Sequence, residues 1–316
     1  SPSVEILAST HRNNLAIFAG EASTSSVSIH TVNSSLTFST TQTLSIKSAF
    51  DGVESVNMGF ILGNGSFTGQ YTPCYVMGFN SSGTRAFSVN VKEYPSNKVS
   101  YCGTDSSYIL VIDYQRNVTP HTIHVTSINE SGTSSDVPSL SYTSKTDLEF
   151  GSIGRNVSDS INGKTYVQES KNSKLYYIDS SLSWVNIGID LPVPSYHGAV
   201  RCGNYVMLAG YESKSIYPIS SSGTMGTTLS HSYTPYHLNM ACVGDEACFV
   251  GTWNTTGSTY SSSYLEIFDT SLTRRIQNVL TDTADRLRPQ VLESVNDSLA
   301  VGFQEYDGTS GFYVTG

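Results

Sequence analysis

One short unit recurs seven times along the chain and decides the fold before any single residue is read: a hydrophobic strand ending near glycine, a loop, then an aromatic strand running into a small polar turn. The first half reads NNLAIFAG from Asn13, VNMGFILG from Val56, SYILVIDY from Ser107, GKTYVQES from Gly163, NYVMLAGY from Asn204, EACFVGTW from Glu246 and DSLAVGFQ from Asp297. These starts lie 43, 51, 56, 41, 42 and 51 residues apart. The second half follows in phase, ending at Thr37, Thr84, Thr133, Ser183, Thr224 and Thr273; the seventh copy breaks off at GFYVTG.

A period of about 40 to 50 residues carrying several short strands is the signature of propeller blades. Helical repeats of that length would show apolar residues at three- and four-residue spacing over ten or more positions. Here the segments are short, rich in Val, Ile, Tyr, Phe and Thr, and bounded by Gly, Asn, Asp and Ser. Between one polar turn and the next copy there is room for two more strands, RAFSVNVKEY, SWVNIGID and RRIQNVL outside and SVEILAST, VSYCG, GAVRCG, NMACVG and PQVLESV inside. Each unit is thus expected to be a four-stranded antiparallel blade, with strands a to d counted from the axis outward and strand b buried on both faces. The c to d turn, NSSGT and its variants, has a physical reason: Asn, Asp and Ser bond the backbone two residues on, and Gly accepts positive φ.

The reading is therefore an all-β, seven-bladed propeller in one domain over residues 1–316, with blades at about 1–47, 48–95, 96–143, 144–193, 194–234, 235–281 and 282–316. Its seventh blade is expected to lack an outer strand, so the parent chain continues past Gly316, a partner donates the strand by β-augmentation, or the edge stays open; the first two are favoured because an open edge invites aggregation. The repeat resembles that of kelch-type propellers, in which the second strand ends at glycine and the third ends in an aromatic residue followed by Asp and a turn. Phe268-Asp269, Ile178-Asp179 and Phe79-Asn80 stand at that third-strand ending; Gly20, Gly63, Gly210, Gly251 and Gly302 lie near the glycines, and Trp184 takes the place of the tryptophan after the turn.

Composition narrows the setting. A net charge of −9 argues against nucleic acid as a partner, because phosphates need Lys and Arg. No stretch of 18 or more apolar residues is present to span a membrane, and no charged start precedes an apolar signal region; a secreted form would have lost its signal. Charged residues make up only 14%, so solubility is expected to come from elsewhere. Eight N-x-Ser/Thr acceptors supply it: Asn33, Asn64, Asn80, Asn117, Asn129, Asn156, Asn254 and Asn296. For Asn33, Asn80 and Asn129, turn chemistry is the competing explanation. The five cysteines then belong to an oxidising compartment. Cys242 and Cys248 flank the turn VGDEA and are expected to pair across it; Cys74 and Cys102 are expected to pair between blades, which leaves Cys202 odd. No Cys/His cluster suggests zinc, and no cofactor motif is present.

Alternating strand direction places the d to a and b to c connections on one face, and these are the long, variable loops where binding is expected. Two of them, PSYHGAVRCG and PYHLNMACVG, are near copies, so Tyr196, His197, Tyr236 and His237 are expected at the mouth of the central channel. Packing between blades is the plainer role for them. Arg286 and Arg288 occupy the next such connection, able to attract an anion or to pair with Asp282 or Asp285. The b to c loops add Phe67, Tyr71, Trp253, Tyr260 and Tyr306, rigid aromatics among Ser, Thr, Gly and Asn, a composition typical of recognition loops.

Catalytic motifs are absent from the sequence: no nucleophile elbow, no H-E-x-x-H, no Walker loop and no calcium ladder. Asp51, Glu54, Asp147 and Glu149 are the acids in upper connections that a propeller glycosidase would need. The expected function is an extracellular, N-glycosylated module for adhesion, binding or assembly, engaging protein or glycan. A structural subunit of a surface filament or coat, joined by strand donation, and a carbohydrate-active hydrolase are the alternatives.

Overall fold

In a computed structural model of the chain, the described residues form 27 β-strands. The description covers all residues except 1–5, 13–14, 24–25, 34, 36, 47, 65–71, 95–97, 103, 105, 116–120, 143–159, 162–163, 170–173, 191–195, 211–212, 236, 255–260, 282–286, 296–297, 306–309 and 316; for some strand residues it is confined to the backbone. Blade one comprises β1 (Ile6–Arg12), β2 (Leu15–Ser23), β3 (Ser26–Asn33) and β4 (Phe38–Leu44). Blade two holds β5 (Ser48–Glu54), β6 (Gly59–Asn64), β7 (Thr72–Phe79) and β8 (Arg85–Tyr94), and blade three β9 (Lys98–Cys102), β10 (Tyr108–Gln115), β11 (His121–Asn129) and β12 (Ser134–Tyr142). Blade four is β13 (Ser160–Ile161), β14 (Lys164–Glu169), β15 (Lys174–Ile178) and β16 (Trp184–Asp190); blade five is β17 (Tyr196–Cys202), β18 (Tyr205–Gly210), β19 (Ser215–Ser220) and β20 (Leu229–Ser230). Blade six contains β21 (His237–Val243), β22 (Glu246–Asn254), β23 (Ser261–Phe268) and β24 (Arg274–Thr281). The last repeat contributes β25 (Leu287–Val295), β26 (Ser298–Glu305) and β27 (Ser310–Thr315).

Hydrogen bonding joins consecutive strands into six four-stranded sheets and one three-stranded sheet, β25-β26-β27. Every pairing is antiparallel. Among the described residues six blades are therefore complete, not the seven expected; the last repeat pairs only three strands into a short sheet.

The core lies between blades, which explains why strand b is continuously apolar. Successive side chains of a strand point to opposite faces, so both faces of a mid-blade strand must be apolar when both neighbours are blades. On β2, Ile17 and Ala19 pack with Ala49, Ile61, Met77 and Phe79 of blade two. Ala16 and Phe18, on the other face, pack with Val295 and Ala300 of the short sheet, joining the last repeat to the first. Blades two and three meet through Phe60, Leu62, Ile109 and Val111, and blade six meets the short sheet through Val250, Ile267, Leu292 and Val301. Near the axis, neighbouring a strands come so close that a β-carbon on Gly52 would fall 1.7 Å from the Ser9 carbonyl oxygen. The Thr10 hydroxyl donates to the Val53 carbonyl there at 2.8 Å.

The c to d turns share one device. Oδ1 of Asn80 accepts the N–H groups of Ser82 and Thr84 and the Ser82 hydroxyl; Asn129 does the same for Ser131 and Thr133. Asp179 and Asp269 build the identical turn with a carboxylate, and Asn33 and Ser220 build shorter versions. The fourth residue sits at positive φ: Gly83 at 75°, Gly132 at 81° and Gly223 at 81°, but Leu182 at 61° and Leu272 at 64°.

Candidate functional site

Blades five and six carry the chemistry that the described residues bring together, and it begins with a proline. In β19 the Pro218 carbonyl accepts the Gly226 N–H at 2.8 Å on the outer side of the blade. A residue's N–H and C=O face the same neighbour in an antiparallel ladder, so the ring removes the donor on that side. The outer strand β20 is correspondingly two residues long. The chain then turns inward at His231, whose N–H donates to the Lys214 carbonyl at 2.6 Å.

That inward turn is pinned by a buried acid. Glu266 lies in the middle of β23 with no exposed surface. Its Oε1 accepts the Ser232 N–H at 2.9 Å, its Oε2 lies 2.7 Å from His231 Nδ1, and Arg274 Nε approaches Oε1 to 3.3 Å. Arg274 also donates to the Ser230 carbonyl. Burial by itself raises the Glu266 pKa, but the hydrogen bonds from His231 and Ser232 and the charge of His231 outweigh it and hold the carboxyl below its ordinary value. A buried carboxylate without such partners would cost several kcal/mol, roughly. With them it fixes the d to a connection onto the neighbouring blade.

Above this anchor sit the aromatics. Tyr233, from the same connection, stacks on Trp253 at the end of β22, with ring centroids 4.0 Å apart and planes at 14°. Tyr264 supports both, at 5.2 Å from Tyr233 and 5.7 Å from Trp253, and His231 meets Phe249 edge-on at 5.2 Å. Burial, then the Glu266 charge, pushes the Tyr264 hydroxyl up, so it stays protonated. Neither that hydroxyl nor His231 Nε2 has a hydrogen-bond partner among the described residues. Tyr233 and Trp253 are partly exposed, so the pair forms an aromatic slab on a rigid base. Such a slab can hold the apolar face of a sugar or of another ring.

A disulfide braces the same pair of blades, and it corrects the expected pairing. Cys202 is bonded to Cys242, with Cα atoms 5.4 Å apart and a sequence separation of 40. The Cys242–Cys248 bridge does not form because the β21 to β22 turn has two residues, Gly244 and Asp245, with Val243 opposite Glu246. Cys242 then faces Ala247 and Cys248 faces Ala241, which puts the two thiols on opposite faces of the sheet. Cys248 is a buried free cysteine whose pKa is pushed up to about 12 by burial and then by the Glu246 charge. Cys74 and Cys102 lie on β7 and β9, and their side chains fall outside the described residues.

Of the other expected site residues, Tyr196 and His197 open β17, His237 opens β21 and Arg288 lies in β25. They belong to strands rather than loops, and their side chains fall outside the described residues, as do Tyr71, Tyr236, Tyr260 and Arg286 entirely. Asp51 and Glu54 lie within β5, not in a connection. Asp147 and Glu149, and the acceptors Asn117, Asn156 and Asn296, are outside the described residues; Asn64 and Asn254 end β6 and β22. Tyr233, His231 and Glu266 were not among the expected residues. A lone acid between Leu265 and Ile267 of an apolar strand was the signal for Glu266. Among the described residues no group of three or more His, Cys, Asp or Glu is placed to hold a metal, and no helix is long and apolar enough to cross a membrane.

The fold and this site define a β-propeller with a braced aromatic face. No family profile and no curated protein matches the sequence. Solved structures match it in shape. Virginiamycin B lyase from Staphylococcus aureus superposes with a TM-score of 0.58 at 11% identity, covering 98% of this chain and 95% of that one. A chain of the mitotic checkpoint complex gives 0.57 at 13%, over 100% and 90%. Hydrazine synthase from Kuenenia stuttgartiensis gives 0.54 at 12%, over 84% and 78%. Likenesses at these identities establish the fold alone, and the proteins that share it include enzymes and a member of a protein assembly.

Proposed function

We propose that this chain is an extracellular, N-glycosylated, kelch-like propeller of six full blades and a short seventh sheet that works as a binding or assembly module. The Tyr233–Trp253 slab, at 4.0 Å and anchored on Glu266, carries this reading. It sits on the side of the d to a and b to c connections, and its ligand is a glycan or a protein ring stacked on Trp253. The Cys202–Cys242 bridge and the eight glycosylation acceptors support an oxidising, extracellular setting. A glycan array with the secreted chain tests the proposal: retained ligand without turnover, lost in Trp253→Ala and Tyr233→Ala, is the expected result. Release of a chromogenic sugar, abolished by Asp51→Asn or Glu149→Gln, would replace it with the hydrolase.

The order β25-β26-β27 favours a second reading, in which a strand from a partner or from further chain completes the seventh blade and builds a filament or coat. Addition of a peptide that pairs with β27, followed by hydrogen exchange of Ser310–Thr315, distinguishes an open edge from a filled one.

A further inference from the structure

The outer strands of a propeller are sheet edges, and an edge that is long, apolar and uncharged pairs with other chains unless something blunts it. The outer strands of the complete blades differ in how far they are blunted. β4 shows hydroxyls and an amide, β8 carries Lys92 and Glu93, β12 has Asp136 and Pro138, β16 has Gly188 at positive φ and Asp190, and β20 is two residues long. β24 differs. Beyond Arg275 it reads IQNVLT, with no charge, proline or glycine. Ile276, Val279 and Leu280 on it are 39%, 51% and 38% exposed, three of the four large exposed hydrophobics among the described residues. A bulge does not set it apart, since β4, β8, β12 and β16 are bulged as well. Uncharged six-residue segments of this kind are strong pairing templates.

We infer that β24 is a self-association surface, occupied by β24 of a second copy of this chain in antiparallel register about a two-fold axis. Charge selects that occupant. The two arginines lie at one end, and within the chain Arg275 reaches Asp269 at 3.6 Å and Arg274 reaches Glu266 at 3.3 Å, so the strand has no unmet demand for an acidic partner. Antiparallel pairing sets each arginine end against the uncharged end of the other copy, where parallel pairing would oppose arginine to arginine. Two copies with a net charge of −9 repel over most of their surface, and β24, with two bases and no acid, is where they approach with least opposition. Acceptor placement agrees: the turns entering β4, β8 and β12 begin with the acceptors Asn33, Asn80 and Asn129, whereas those entering β16, β20 and β24 begin with Asp179, Ser220 and Asp269. The turn entering β24 thus begins with no acceptor.

Sedimentation velocity of the full secreted chain over a wide concentration range tests the surface. The expected result is a monomer to dimer transition that Ile276→Lys with Val279→Lys abolishes at every concentration where the parent pairs, with an unchanged thermal midpoint. Asn278→Cys, near the centre of the strand, gives a reducible covalent dimer that the parent chain does not form. A parent chain that stays monomeric throughout, or a lysine variant that dimerises as the parent does, overturns the inference.

Discussion

Tyr264 lies across Gly251. The two stand directly opposite each other on β23 and β22, and a β-carbon on the glycine would fall 2.6 Å from the tyrosine Cζ and hydroxyl. The same register, glycine on strand b and an aromatic on strand c, recurs at Gly63 with Tyr75 and at Gly302 with Phe312. At Gly251 the glycine is thus a seat for a ring. Gly251→Ala displaces that ring from the base of the aromatic slab and is expected to lower stability by about 1–3 kcal/mol, read as a lower urea midpoint. Adding Tyr264→Val recovers part of the loss, so the two substitutions are non-additive.

Glu266 makes stability depend on pH in a definite direction. Its folded pKa is below the ordinary 4.5, so its contribution is complete above about 4.5 and is lost as pH falls from there through the folded value. Glu266→Gln removes that dependence together with the hydrogen bonds to a charged acceptor, on the order of 1.5–3 kcal/mol at neutral pH. Urea midpoints measured for both proteins should differ at neutral pH and converge in acid. Parallel curves over the whole range would remove Glu266 from its place as the anchor.

What the sequence made legible follows from period. Strand b was readable because both of its faces meet another blade, as Ile17 and Phe18 show, and the c to d turn because one side-chain oxygen organises it. Less legible were features that hang on a single residue of register. A two-residue turn at Gly244 and Asp245, in place of three, turned Cys248 away from Cys242. The slab was half legible: Trp253 was among the expected aromatics, although it lies in β22 and not in a loop, whereas Tyr233 comes beside it from the connection after the two-residue β20. No local pattern announces an effect that arises one strand away.

The Cys202–Cys242 bridge closes a loop of 40 residues. Chain entropy alone assigns such a loop about 4 kcal/mol. Cys202→Ser with Cys242→Ser, or reduction, is expected to lower the urea midpoint accordingly, while Cys248→Ser leaves the bridge and its contribution in place because that thiol is in no disulfide. With a pKa of about 12 and no surface exposure to speak of, Cys248 reacts with a maleimide only in denaturant. Rapid labelling of Cys248 in the native protein would contradict this placement.

Turn and glycan can be separated at Asn80, because the protein already contains the control. Asp179 and Asp269 make the same three contacts that Asn80 makes, so Asn80→Asp should keep the turn and abolish the acceptor. Asn80→Ala abolishes both and is expected to cost about 1 kcal/mol for the lost turn bonds. With the proposed N-glycosylation at Asn80, both variants should lose the mass of one glycan, and only the alanine variant should lose stability beyond that of an enzymatically deglycosylated parent. The aspartate variant should also weaken in acid, since the serine hydroxyl and backbone N–H groups that lower the pKa of Asp179 and Asp269 lose their charged acceptor as pH falls through the lowered value. An aspartate variant as unstable as alanine at neutral pH would mean that the amide itself, and not its Oδ1, holds this turn.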